Sequence, residues 1–312
     1  MIPIHYHASH EQFSPRELLE LAADAERAGF DGIASSDHLA PWTPRRGVAA
    51  SAWVWLSAAM AATTVPFGVV TTPGYRYPLP VLAQAIASLA EMHPGRLAVS
   101  LGSGEALNEA LAGHWPGKDE RNARLRDHVE LLDELLHDRV DAGDPRRLWL
   151  PPAVPPPLSV AAVTRETAAW IGGWWGALTT IGDTVPRTRE RVDAFRQAHG
   201  ARGRVTIKIQ ISVASTREEA VAAAHAEWRA ALLGPELLTE LRTPAEFERA
   251  AADIAPGEAA ESIAPVTSAA GLGELLDAYA ALDPELLVVH DVAPEQRVIP
   301  LLAELRRDGG PR

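Results

Sequence analysis

The sequence predicts an α/β protein folded as a single (β/α)8 TIM barrel, and three observations carry that expectation. Apolar runs of strand length alternate about eight times with amphipathic stretches of helix length, a rhythm that favours a parallel sheet. The 312 residues suffice for one closed barrel of about 250 residues with an insertion. Reactive side chains gather just after the strands, where such barrels carry their sites. An open doubly wound sheet is the alternative and fits the strand count less well.

The first strand is expected at 2–7. A helix follows over Pro15–Ala28, opened by Ser14 as cap, Pro15 at its first position and Glu17 at capping-box distance. Leu18, Leu19, Ala22, Ala25 and Ala28 form its apolar stripe, and Gly29 is placed to end it. Next come strand Gly32–Ser36, helix Ala52–Ala62, strand Phe67–Thr71, helix 80–92, strand Leu97–Leu101 and helix 121–136. A Pro-rich connection over 138–157 interrupts the rhythm. It resumes with strand Leu158–Ala161, helix Arg165–Gly172, strand 177–180, helix 187–198, strand 205–213 and a helix from Thr216. Residues 231–265 read as a helical insertion between strands seven and eight. Strand 286–290 and helix 295–306 close the chain, leaving one domain over 1–312 with a short tail, Asp308–Arg312.

Composition excludes several functions. With 29 Lys+Arg against 41 Asp+Glu the net charge is −12, which argues against a general nucleic-acid binder. Cysteine is absent, so disulfides, thiol nucleophiles and cysteine-held metal clusters are ruled out. No leader is visible, and the longest apolar stretch, about 49–62, falls short of a membrane span. The expected setting is cytoplasmic, without membrane partners.

Three clusters fall after strands one, two and four. They are His7-Ala8-Ser9-His10-Glu11, Ser36-Asp37-His38-Leu39-Ala40-Pro41-Trp42 and Gly102-Ser103-Gly104-Glu105-Ala106-Leu107-Asn108-Glu109. In Asp37-His38 a carboxylate stands beside an imidazole, which suits proton transfer, although a capping Asp beside a half-exposed His is the plainer reading. The glycines of the third cluster let a flat or phosphorylated ligand approach the backbone, or simply form a tight turn. The loop Thr72–Pro78 sets Tyr75 and Tyr77 around Arg76 and suits an anion or ring edge, or packing on the rim. His5 and His7 alternate on one strand without a third ligand at metal spacing, so no metal site is expected. Trp170, Trp174 and Trp175 read as packing residues.

Taken with Glu11-Gln12-Phe13, Ala83-Gln84-Ala85 and His93-Pro94-Gly95-Arg96, these motifs resemble the bacterial luciferase-like flavin and deazaflavin oxidoreductases. Within that (β/α)8 superfamily the chain is most similar to the deazaflavin (F420)-dependent glucose-6-phosphate dehydrogenases and their FMN-using relatives. The resemblance spans nearly the whole chain. It implies His38 as the base that takes a substrate hydroxyl proton as hydride leaves, with Trp42 packed beside the reacting centre. Glu105 would be the acid serving the cofactor ring, Glu11 would position base or substrate, and Asp37 would touch the ring and hold His38. Val70, Thr71, Gly102, Ser103, Gly104, Asn108, Ala161, Ala162, Thr164, Arg165 and Thr180 would line the cofactor.

The sequence also departs from that branch. The loop after strand five is Ala-Ala-Gly-Gly in the sugar-phosphate enzymes and Ala161-Ala162-Val163-Thr164-Arg165 here. An Arg at a helix start grips a terminal monophosphate, so FMN is the preferred cofactor, with F420 as the alternative. The pattern looks most like a branch that has returned to FMN. Positions of two substrate-phosphate lysines fall at Gln210 and near Ser262, leaving Arg297 and Arg76 as substrate candidates and making a sugar phosphate a poor fit. Arg76 and Arg165 are the expected basic spot for a phosphate. The expected activity is hydride transfer between the ring and a small organic substrate. An FMN-dependent monooxygenase and a non-catalytic ligand-binding barrel are the alternatives. The family resemblance further implies a homodimer.

Overall fold

A computed structural model describes residues 2–45 and 47–307; the tail at Asp308–Arg312 lies outside the described residues. In chain order the elements are β1 Ile4–Ala8, α1 Pro15–Ala28, β2 Gly32–Ser36, α2 Ala52–Ala62, β3 Phe67–Thr71, α3 Leu79–Met92, β4 Leu97–Leu101, α4 Ala106–Glu109 and α5 Lys118–Leu136. There follow β5 Leu158–Ala161, α6 Arg165–Gly172, β6 Ala177–Gly182, α7 Val185–His199, β7 Arg204–Val213, α8 Arg217–Trp228, α9 Pro235–Glu240, α10 Pro244–Ala250 and α11 Pro256–Ser262. The last are β8 Ala264–Val266, α12 Ala269–Ala280, β9 Leu286–Asp291 and α13 Val298–Arg307.

Local chemistry explains the boundaries. Ser14 and Glu17 close a reciprocal capping box at the start of α1, with Pro15 in the first turn, and Gly29 ends the helix at φ +93°. Helix α13 begins three residues later than the sequence implies, because Asp291 Oδ2 accepts from Val298 N at 3.2 Å and fixes its first turn.

All strand pairs are parallel. They run β1 to β7 in sequence, and β9 pairs with both β7 and β1, closing an eight-stranded barrel. The sequence rhythm supplies those eight strands; β8 is a ninth that it does not reveal. β7 is ten residues long. It pairs with β6 over Arg204–Ile209, with β9 over Thr206–Ile211, and only at its far end, Ile211–Val213, with β8.

Register decides which side chains face inward, since residues alternate between the two faces of a strand. Lys208 reaches His7 across the intervening β9, so both point into the barrel. Gln210 and His290 share that inward face on paired positions. The opposite face packs on the helices: Tyr6, Ile33, Phe67, Val99, Val160 and Ile207 are buried there with Leu18, Leu56, Ile86 and Phe195. Trp170, Trp174 and Trp175 pack against this same core. A groove of about 560 Å³ lies at the N-terminal end, between the starts of β5–β7 and the Pro-rich connection, the end that barrels keep for stability rather than chemistry.

Candidate active site

Three loops meet at the C-terminal mouth of the barrel. Glu11 follows β1, His38 and Trp42 follow β2, and Glu105 and Asn108 follow β4. Glu11 Oε2 accepts from the Trp42 backbone N at 2.8 Å, while its Oε1 lies 3.5 Å from His38 Nδ1. Glu105 Oε2 accepts from the Trp42 indole Nε1 at 2.9 Å and from Asn108 Nδ2 at 3.2 Å. Trp42 is therefore held by one carboxylate at its backbone and by another at its ring. Burial pushes the Glu105 carboxyl up, opposed by the His38 charge and the indole hydrogen bond.

Asn108 is a builder of this cluster. Its Oδ1 accepts from Leu39 N at 2.8 Å and Ala40 N at 3.3 Å, which turns Nδ2 toward Glu105 and to 3.3 Å from His38 Nδ1. Donation from Asn108 and donation to Glu11 demand opposite tautomers of His38. Only the Nδ1–H···Glu11 form leaves Nε2 with a free lone pair, so Glu11 is the partner that makes His38 a base.

The residues after β7 wall the site. Trp42 stacks on Phe247 of α10 at 6.1 Å and 10°, and lies 6.0 Å from Trp228 of α8. Thr43 donates to Glu248, which also pairs with Arg229. Arg121 and Trp115 both donate to Glu240 of α9.

Several sequence expectations are corrected. Asp37 does not hold His38. The two are consecutive at the end of an extended strand, so their side chains diverge. The Asp37 carboxylate instead accepts from Thr71 Oγ1 at 3.0 Å and Arg76 Nη2 at 3.2 Å, which also turns the Thr71 hydroxyl away from the hollow. Arg76 is no open basic spot, since Asp37 and Glu109 both pair with it. Thr180 pairs in register with Ile207 and faces the helices, 2% exposed; its neighbour Thr179 is the inward one. Thr164 and Arg165 do stand at the start of α6, as the sequence places them, Thr164 capping the helix with its hydroxyl accepting from Thr167 N at 3.2 Å and Arg165 exposed beside it. Arg297 donates to Ser215 Oγ at 2.7 Å in the loop after β7.

What remains on the inner wall is small. Ala34, Ser36, Gly68, Val70, Ala98, Ser159, Ala161 and Thr179 line β2–β6 and all keep partial access, where a barrel interior is usually filled by bulky branched residues. Gly102 and Ser103 are likewise partly accessible, and a Cβ at Gly102 would meet nothing closer than 3.9 Å. Gly104 is there for its backbone, at φ +87°, and a Cβ would come within 2.9 Å of Thr72. Ala162 is buried beneath this wall. Small side chains here leave open surface on the inner wall of β2–β6 where bulky residues would otherwise close it. Among the described residues no group of three or more His, Asp or Glu is arranged to hold a metal ion, and no helix is long and apolar enough to cross a membrane.

Barrel, acid–base pair and hollow together define an oxidoreductase of the flavin and deazaflavin class. The family described as luciferase-like monooxygenase matches residues 1–285, and the chain belongs to it. It is 32% identical to the F420-dependent glucose-6-phosphate dehydrogenase of Segniliparus rotundus, over 100% of this chain and 98% of that one. The enzyme of the same description from Rhodococcus erythropolis is 49% identical over 142 residues, 44% of this chain and 42% of that protein. Among solved structures, an F420-dependent secondary alcohol dehydrogenase in complex with an F420-acetone adduct superposes with a TM-score of 0.87 at 25% identity, covering 97% of each chain. These relatives are described as F420-dependent, and none of this supports FMN, the cofactor the sequence favoured.

Proposed function

We propose that this chain is an F420-dependent dehydrogenase of a small alcohol, with His38 as the base. The observation that carries the reading is the His38–Glu11 pair set beside Glu105 and Trp42 at the edge of a small-residue hollow. The relatives described as F420-dependent support the cofactor. When bound, F420 supplies the hydride acceptor. Val70, Ala161, Gly102 and Ser103 would hold it, since they keep open surface on the inner wall. His38 Nε2 takes the hydroxyl proton of the substrate, and the resulting imidazolium is stabilised by Glu11. Trp42, fixed at both ends, closes one side of the substrate space and excludes water. Glu105 holds a proton, or gives it up, next to the Trp42 indole.

A sugar phosphate does not suit this wall. On β7 Gln210 presents a neutral amide, Arg76 is paired with Asp37 and Glu109, and exposed Arg297 bonds the Ser215 hydroxyl. The test is a titration of the purified protein with F420 and with FMN, followed by alcohol oxidation under anaerobic and aerobic conditions. F420 should bind and support oxidation without oxygen uptake. If neither cofactor binds with Kd below about 1 mM, the reading fails. Oxygen consumed in step with product would replace it with a monooxygenase.

A further inference from the structure

The loop between β3 and α3 sends Arg76 into the gap between two of the loops that carry the site. Its Nη2 donates to the Asp37 carbonyl oxygen at 2.9 Å and to Asp37 Oδ2 at 3.2 Å, and it reaches Glu109 Oε1 at 3.4 Å. Its backbone N donates to Glu109 Oε2 at 3.1 Å. The loop that delivers it is stiff. Gly74 N donates to Tyr77 O at 2.9 Å, closing a turn, and a Cβ at Gly74, where φ is +87°, would collide with the His128 ring of α5. The guanidinium also lies 4.7 Å over the Tyr77 ring.

Each end of this bridge sits one residue from a group in the site. The Asp37 carbonyl belongs to the peptide unit that leads into His38, so Arg76 fixes the plane from which the imidazole departs. Glu109 ends the short helix α4, in which Asn108 precedes it and Glu105 is the cap. Glu105 O accepts from Asn108 N at 3.1 Å and from Glu109 N at 3.0 Å, so the three residues form one hydrogen-bonded turn. A second set of bonds joins the same two loops, from Leu39 N and Ala40 N to Asn108 and from the Trp42 indole to Glu105. The loops after β2 and β4 are thus fastened twice, once by the site's own side chains and once by a guanidinium bonded to Asp37 and Glu109. Those two side chains keep 0% and 1% of their surface, so neither carboxylate can turn to water if the cation is lost.

We propose that Arg76 is a positioning residue for this site: by bridging Asp37 and Glu109 it sets the gap across which His38 and Trp42 face Asn108 and Glu105. This role presupposes the acid–base reading above, but its test uses the free protein without cofactor or turnover, so the two fail separately. The readout is hydrogen exchange of the indole N–H groups in protein labelled with 15N-tryptophan. Trp42 donates across the gap to Glu105. Trp175 donates to Leu158 O at 3.2 Å, at the opposite end of the barrel, and serves as the control. Each resonance is identified by its loss in Trp42→Phe or Trp175→Phe. In Arg76→Met the Trp42 N–H should exchange about tenfold faster or more, as local opening of the gap becomes easier, while Trp175 stays within about twofold of the wild type. Arg76→Lys keeps the charge but loses the planar fork that serves both carboxylates, and Trp42 should exchange there nearly as fast as in Arg76→Met. Unchanged Trp42 exchange in Arg76→Met overturns the proposal, as does an equal rise at Trp175, which would mark a general loss of stability. Wild-type exchange of Trp42 in Arg76→Lys overturns it too, since charge alone would then suffice. If Arg76→Met does not fold, Arg76→Lys decides by the same two indoles.

Discussion

The two halves of the barrel interior are built on opposite terms. From β7 through β9 and β1, the inward positions carry Lys208, Gln210, His290, His5 and His7, and the loop after β1 adds His10 and Glu11. From β2 to β6 they carry Ala, Ser, Gly, Val and Thr with open surface. One half is crowded with groups that gain or lose protons, whereas the other offers shape and almost no charge. The contrast teaches that proton handling and cofactor room are separable in this molecule, and each half can be damaged without the other.

The sharpest way to break that separation is His38→Ala. We expect the rate of cofactor reduction by substrate to fall about 10²- to 10⁴-fold, with F420 affinity unchanged in a fluorescence titration. A parallel loss of affinity would show that the two halves act as one. The converse change is Ala161→Leu, which places a branched side chain in the open half. It should weaken F420 binding at least tenfold, about 1.4 kcal/mol, while leaving the pH dependence of the rate at saturating F420 unchanged. A third, smaller effect is expected from Trp42→Phe, which retains the stack on Phe247 but removes the indole donor from Glu105. A buried acceptor losing one of its two partners costs about 1–3 kcal/mol, read as a lowered unfolding midpoint and a rise in the pH of the Glu105-dependent limb of the rate profile.

The smallest effect per residue is acid lability. His5 and His10 are held near 4 by burial, and His7 and His290 are also lowered. The unfolded chain takes up protons on them at about 6.5, so stability is lost as pH falls from 6.5 toward 4. Glu105 and Asp291, the latter raised to about 7, take up protons in the folded state and offset part of this loss. Urea midpoints measured across that window should therefore drop toward acid, and His10→Gln should flatten the slope. A midpoint that rises toward pH 4 would show that the carboxylates outweigh the imidazoles.

Much of the fold was legible because strand and helix periodicities are local. Phe67–Thr71 and Leu97–Leu101 are apolar runs bounded by Pro, Gly or Arg, and they fold where they read. What escaped is weakly marked: β8 has three residues including Pro265, and α12 opens with Ala269-Ala270-Gly271-Leu272-Gly273, where two glycines interrupt the helix signal. The site was legible as a set of loops and not as a set of pairs. Adjacency in the chain joined Asp37 to His38, whereas strand geometry drives them apart and brings Glu11 in from 27 residues away (38 − 11). Contacts such as His290–Gln12, 278 residues apart, leave no local trace.

The length of β7 has a mechanical consequence. The strand that carries Lys208 within the barrel continues past its pairing with β6 and joins β8, and with it the wall bearing Phe247 and Trp228. That wall is thereby riveted to the barrel, with the Glu240 and Glu248 bonds as further fastenings. Moving it as a flap would require breaking these pairings. The space beside His38 is thus bounded on this side by the barrel's own longest strand rather than by a separate loop.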